Sequence, residues 1–72
     1  MRLTLVVNGQ RRTLDDVPNP PDLTDVVQAL GHNPALVVAE LNGAIVPKTQ
    51  WSSASILDGD SLEIVTIVGG GS

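Results

Sequence analysis

Residues 61–72, SLEIVTIVGGGS, hold the longest apolar run in the chain and lead directly into three glycines. The run follows a turn signal, Asp58-Gly59-Asp60, and its β-branched content reads as a central strand, Ser61 to Val68, expected to be buried on both faces of a sheet. Its neighbours must come from elsewhere in the chain. Near the amino end, RLTLVV (Arg2 to Val7) places Leu3, Leu5 and Val7 at period two and meets Asn8-Gly9. Asn-Gly tolerates positive φ at both central positions of a type I′ turn, so the chain folds back through QRRTL, Gln10 to Leu14, as a hairpin. LVVAELN (Leu36 to Asn42) reads as a further strand, and a second Asn-Gly, Asn42-Gly43, turns it into Ala44 to Val46, stopped by Pro47.

Between the hairpins, DDVPNPP (Asp15 to Pro21) is a stiff connector, because prolines 18, 20 and 21 remove backbone donors and hold their predecessors extended. Asp22 then caps a helix, with Asp25 three positions on as a weaker form of the capping box. Leu23, Val26, Val27 and Leu30 fall at i, i+3, i+4 and i+7 and form one apolar face; Gly31 ends the helix and Asn33-Pro34 prevents its restart. KTQWSSAS is polar and aperiodic and is expected to cross the base of the domain, with Trp51, Ile56 and Leu57 plugging the core. The class is therefore α+β, a mixed sheet of four to five strands with one main helix packed across it. If the last strand lies beside the first at the sheet centre, this is the β-grasp or ubiquitin-like arrangement. Residues 1–68 are expected to form that domain and residues 69–72 a flexible glycine-rich tail.

Seventy-two residues make one small domain, too short for a deep catalytic cleft, and a core this small rarely supplies more than about 3–5 kcal/mol. The chain has no cysteine, which excludes disulfides and thiolate metal sites. A net charge of −4 and only four scattered cations (Arg2, Arg11, Arg12, Lys48) oppose nucleic-acid binding. No apolar run approaches the roughly 20 residues that span a bilayer, and Met1 to Thr4 lack a signal-peptide pattern, so a soluble cytoplasmic protein is expected.

Conventional chemistry finds little to build on. His32 is the sole histidine and has no second ligand type beside it; Ser52, Ser53 and Ser55 with Asp58 and Asp60 read as turn-formers, with nothing to position them as a triad. Asp58-Gly59-Asp60 lacks the remaining oxygens of a calcium loop, and Asp15-Asp16 reads as a solvated corner. No catalytic, cofactor or metal site is expected. The three glycines are not a phosphate cradle, since no helix follows them. Two readings of them stand: a frayed linker-like end, or a tail without side chains able to thread a channel too narrow for other residues.

The segment VVAELNGAIVPKTQW (Val37 to Trp51), taken with Asn8-Gly9, the turn at Asp58-Gly59-Asp60 and the ending EIVTIVGGG, resembles the sulfur carrier proteins of thiamine thiazole biosynthesis, the ThiS family. The resemblance covers essentially the whole chain, and its specificity lies in the ensemble rather than in any one turn. It implies a β-grasp carrier and not an enzyme. A ThiF-type adenylyltransferase would activate the terminal glycine with ATP, a cysteine-desulfurase-linked donor would convert it to a thiocarboxylate, and a ThiG-type thiazole synthase would receive the sulfur. Carried onto this chain, the reacting residue is Gly71, with Gly70 beside it. Ser72 departs from the pattern, because such carriers end in glycine; it is trimmed, foreign to the native end, or blocking. The resemblance further implies partner docking on Val6, Val65, Ile67, Val68 and Gly69, if the sheet face away from the helix leaves Val6, Val65 and Ile67 exposed rather than in a doubly covered core. The alternatives are a molybdopterin-synthase small-subunit-like carrier and a β-grasp interaction module whose glycines are only a linker.

Overall fold

The computed structural model describes residues 1–67. Within them, five strands form one sheet: β1 (Leu3–Val7), β2 (Gln10–Leu14), β3 (Val37–Leu41), β4 (Ala44–Ile45) and β5 (Ser61–Thr66), with α1 (Leu23–Ala29) between β2 and β3. The order across the sheet is β2-β1-β5-β3-β4. The last strand thus lies beside the first, and the two run parallel while the other neighbours are antiparallel. This is the expected mixed β-grasp sheet. Val68 and Gly69 to Ser72, the end of the expected strand and the tail, lie outside the described residues.

Local chemistry accounts for the elements. Asn8 and Gly9 adopt φ of 50° and 82°, and Asn42 and Gly43 adopt 51° and 89°, the left-handed pairs that a two-residue hairpin turn requires. The capping box at α1 is complete: the Asp25 N–H donates to Asp22 Oδ1 at 2.8 Å and the Asp22 N–H donates to Asp25 Oδ2 at 3.0 Å. Gly31, at φ 91°, sits just past the Leu30 cap and lets the chain leave the helix. Lys48–Ser53, expected to be irregular, winds into a 3₁₀ helix that seats Trp51 in the core, where its indole N–H donates to the Val46 carbonyl at 2.8 Å.

Leu3, Leu5 and Val7 from β1, Leu23, Val26 and Val27 from α1, Val37 and Ala39 from β3, and Leu62 and Ile64 from β5 meet in one core with Trp51 and Ile56. Two sequence expectations fail here. The apolar strand β5 is not buried on both faces: Leu62 and Ile64 are buried, whereas Val65 and Ile67 are 59% and 46% exposed. Among the described residues one helix, α1, is long enough to lie across the sheet, and it covers one face only. Leu57 does not plug the core but is 67% exposed, because its N–H is drawn to Asp60 Oδ2 in the turn before β5 and its side chain is left outside.

One-sided burial has a measurable consequence. Leu62→Ala is expected to cost about 2–5 kcal/mol, enough to unfold most of so small a domain, whereas Val65→Thr changes the unfolding free energy by less than about 0.5 kcal/mol in a urea titration. Comparable losses at both positions would restore the doubly buried strand.

Candidate functional site

The face of the sheet away from α1 is read from strand alternation and register. On β5 it carries Ser61, Glu63 and Val65. Their neighbours are Val6 on β1, opposite Ser61, and Glu40 and Val38 on β3, opposite Glu63 and Val65. Beyond Val65, Ile67 donates its N–H to the Leu36 carbonyl at 2.6 Å, which brings exposed Leu36 to the same end. Four apolar side chains, Leu36, Val38, Val65 and Ile67, are thus exposed around the carboxyl end of β5.

The sequence placed Val6, Val65 and Ile67 on one patch. All three are exposed, but they do not form one cluster. Val6 pairs with Ser61, and at about 3.3 Å per strand residue that puts it roughly 13 Å along the strand from the level of Val65, with the Glu63 level between. Leu36 and Val38 belong to the apolar end and were missed. Alternation supplied the signal for Val38, since Val37 and Ala39 are buried and the residue between them must face the other way. Glu40 and Glu63 were missed as a pair because only strand register sets them directly opposite. Val68, Gly69, Gly70 and Gly71, the remaining expected site residues, lie outside the described residues.

Four of the side chains considered for catalysis or metal binding, Asp15, Ser53, Asp58 and Asp60, have structural partners among the described residues. Asp58 Oδ1 accepts the Thr4 N–H at 2.7 Å, and Asp60 accepts from the Leu57 N–H and from Asn42 Nδ2, so both carboxylates tie the turn before β5 to its surroundings. Ser53 Oγ donates to the Gln50 carbonyl. Asp15 pairs with Arg2 at 3.4 Å on the surface. No side-chain hydrogen bond among the described residues joins His32 to a serine, and no cavity and no cluster of three potential metal ligands occurs there. No helix among the described residues is long and apolar enough to cross a membrane.

Comparison with known proteins places this surface in context. The model of the ThiS family matches residues 5–71. A crystal structure of a thiamine biosynthesis protein (ThiS) from Geobacter metallireducens superposes with a TM-score of 0.77 at 30% identity, covering 96% of this chain and all of that one. Among curated sequences, an uncharacterized protein ycf40 from Trieres chinensis is 38% identical over 68 residues, spanning 94% of this chain and 89% of its own length. A thiazole synthase from Paramagnetospirillum magneticum is 37% identical over 70 residues, which is 97% of this chain but 21% of that protein.

Glu40 and Glu63 face each other across two strands, where like charges oppose folding. Glu63→Gln is expected to raise the thermal midpoint by about 2 °C, the equivalent of a few tenths of a kcal/mol in a domain this size. Scanning calorimetry at low and high salt checks it, since screening shrinks a charge effect; an unchanged or lowered midpoint at low salt means the pair carries no repulsion.

Proposed function

The chain belongs to the ThiS family, and from that membership we propose that it is a sulfur carrier of thiamine biosynthesis rather than an enzyme. The observation that carries this reading is the extent of the match: the family model runs from the first hairpin to Gly71 and takes in the glycine run. The fold is consistent with it, because β5 ends beside an exposed apolar surface.

In this reading the chemistry is done at the chain terminus by other proteins. A carboxylate is a poor electrophile. A ThiF-type adenylyltransferase joins the Gly71 carboxylate to the α-phosphate of ATP and releases pyrophosphate. The terminal sulfur of a persulfide on a cysteine-desulfurase-linked donor then attacks the acyl carbon and AMP leaves, and a thiol cleaves the resulting acyl disulfide, freeing the thiocarboxylate while the donor and the thiol end as a disulfide. The net change is one carboxylate oxygen replaced by sulfur. Gly70 and Gly71 have no Cβ, so two different active sites can close around the tail without steric conflict. Thiazole synthase is the proposed acceptor, supported by the thiazole synthase that carries a segment similar to this whole chain. Docking is assigned to Val65 and Ile67, continuing to Val68 and Gly69, with Val6 at the far end of the same face. An apolar surface of this kind, rimmed by charge, suits a transient protein interface.

Ser72 lies outside the family match, which ends at Gly71. A chain ending at Gly71, incubated with ATP, a ThiF-type adenylyltransferase, the persulfide sulfur donor and a thiol reductant, is expected to exchange one oxygen for sulfur by intact-mass spectrometry. A chain that keeps Ser72 stays unchanged until the serine is removed. If neither form reacts, the carrier reading falls and the glycines are a linker on an interaction module.

A further inference from the structure

The two flanks of β5 are paired to different depths. Toward β3 the pairing runs to the end of the strand: Val38 stands opposite Val65, Glu40 opposite Glu63, and the Ile67 N–H reaches the Leu36 carbonyl. In an antiparallel ladder alternate residues direct their backbone groups to that neighbour, here the odd-numbered ones, so Leu62, Ile64 and Thr66 turn theirs toward β1. On that side β1 supplies partners only briefly. The Val6 N–H donates to the Asp60 carbonyl at 3.0 Å and the Asn8 N–H to the Leu62 carbonyl at 2.8 Å; the chain then turns away at Asn8-Gly9.

The next rung is made by a side chain. Asn8 Oδ1 accepts the Ile64 N–H at 2.8 Å, and Asn8 Nδ2 donates to the Ile64 carbonyl at 3.2 Å. A planar amide thus takes the place of a peptide group and extends the ladder by one residue. The rung after it is Thr66, whose N–H and C=O have no hydrogen-bond partner among the described residues.

Other edges of the sheet are guarded. The outer strand β2 carries Arg11 and Arg12, and β4 is two residues long with Pro47 close behind it, both of which discourage strand addition. The flank at Thr66 has neither device: Val65, Thr66 and Ile67 are uncharged and exposed.

We propose that this half-finished ladder is a strand-addition site, completed by an extended backbone segment of the thiazole synthase that receives the tail. The proposal rests on the sulfur-carrier reading for its choice of partner and on the pairing of β5 for its geometry. An added strand takes its backbone bonds from Thr66, and its side chains on the open face meet Val65 and Ile67; main-chain bonds supply affinity and the flanking side chains supply specificity. Thr66 is the last strand residue before the segment that carries Gly70 and Gly71, so pairing there fixes the direction in which the tail is presented.

Amide hydrogen exchange, read by NMR on the chain alone and on its complex with the thiazole synthase of the same organism, tests this residue by residue. In the free chain the Ile64 and Ile67 amides are protected and the Thr66 amide exchanges at close to the rate of an unstructured peptide. In the complex the Thr66 amide slows at least tenfold while Ile67 changes little. An ester in place of the Val65–Thr66 amide, which removes that N–H, weakens binding by about tenfold, the size of one well-formed interface hydrogen bond. A complex that forms with Thr66 still exchanging freely, or an ester chain that binds as tightly as the amide, overturns strand addition and leaves the carrier reading intact. Absence of any complex overturns the choice of partner and the proposal with it. Concentration-dependent protection of Thr66 in the chain alone overturns it in favour of a second copy as the added strand.

Discussion

The contact that closes this molecule is the parallel pairing of β1 with β5, only two residue pairs long, Val6 with Ser61 and Val7 with Leu62. It joins the first element to the last, so its formation closes almost the whole chain into one loop, at an entropic cost that grows slowly with length. Two devices reinforce so short a ladder. Asn8 extends it by its side-chain amide to Ile64, and the turn before β5 is bound to β1 through Thr4, whose N–H meets Asp58 Oδ1 and whose carbonyl accepts the Gly59 N–H at 2.7 Å. Beneath it, Leu3, Leu5, Leu62 and Ile64 are covered by α1 and Trp51, and burial of that aliphatic layer is the main term opposing the entropy.

The same closure leaves one face of the sheet open. With β5 in the middle and one helix on one side, the opposite face keeps apolar residues in water at Val38, Val65 and Ile67. Folding alone does not favour that exposure, nor the placement of Glu40 against Glu63. Both features fit the docking proposed for this face, where a partner would cover the apolar area and a cationic group on it would offset the paired carboxylates.

Much of the architecture was legible because its signals are local. Asn-Gly at two positions specifies two hairpins through backbone conformation, and Asp22 with Asp25 marks a helix start by satisfying its own free N–H groups. The candidate site was legible in part. Val6, Val65 and Ile67 were singled out, yet their division between the two ends of the face, and the addition of Leu36 and Val38 to one end, depend on which strands are neighbours. Leu57 shows the same limit: its hydrophobicity suits a core, but a backbone bond to Asp60 in the turn decides that it faces solvent.

By itself the sequence determined the strands, the main helix, their turns and caps, and the kinship carried by Val37 to Trp51 and the glycine ending, because each of these depends on residues within a few positions of one another. Only the tertiary structure decided that β5 is buried on one face, that Glu40 opposes Glu63, and that the Asn8 amide serves as a rung leaving Thr66 open. Those facts depend on strand order and register, which are set by how all the elements share one core and leave no trace in the spacing of residues along a single strand.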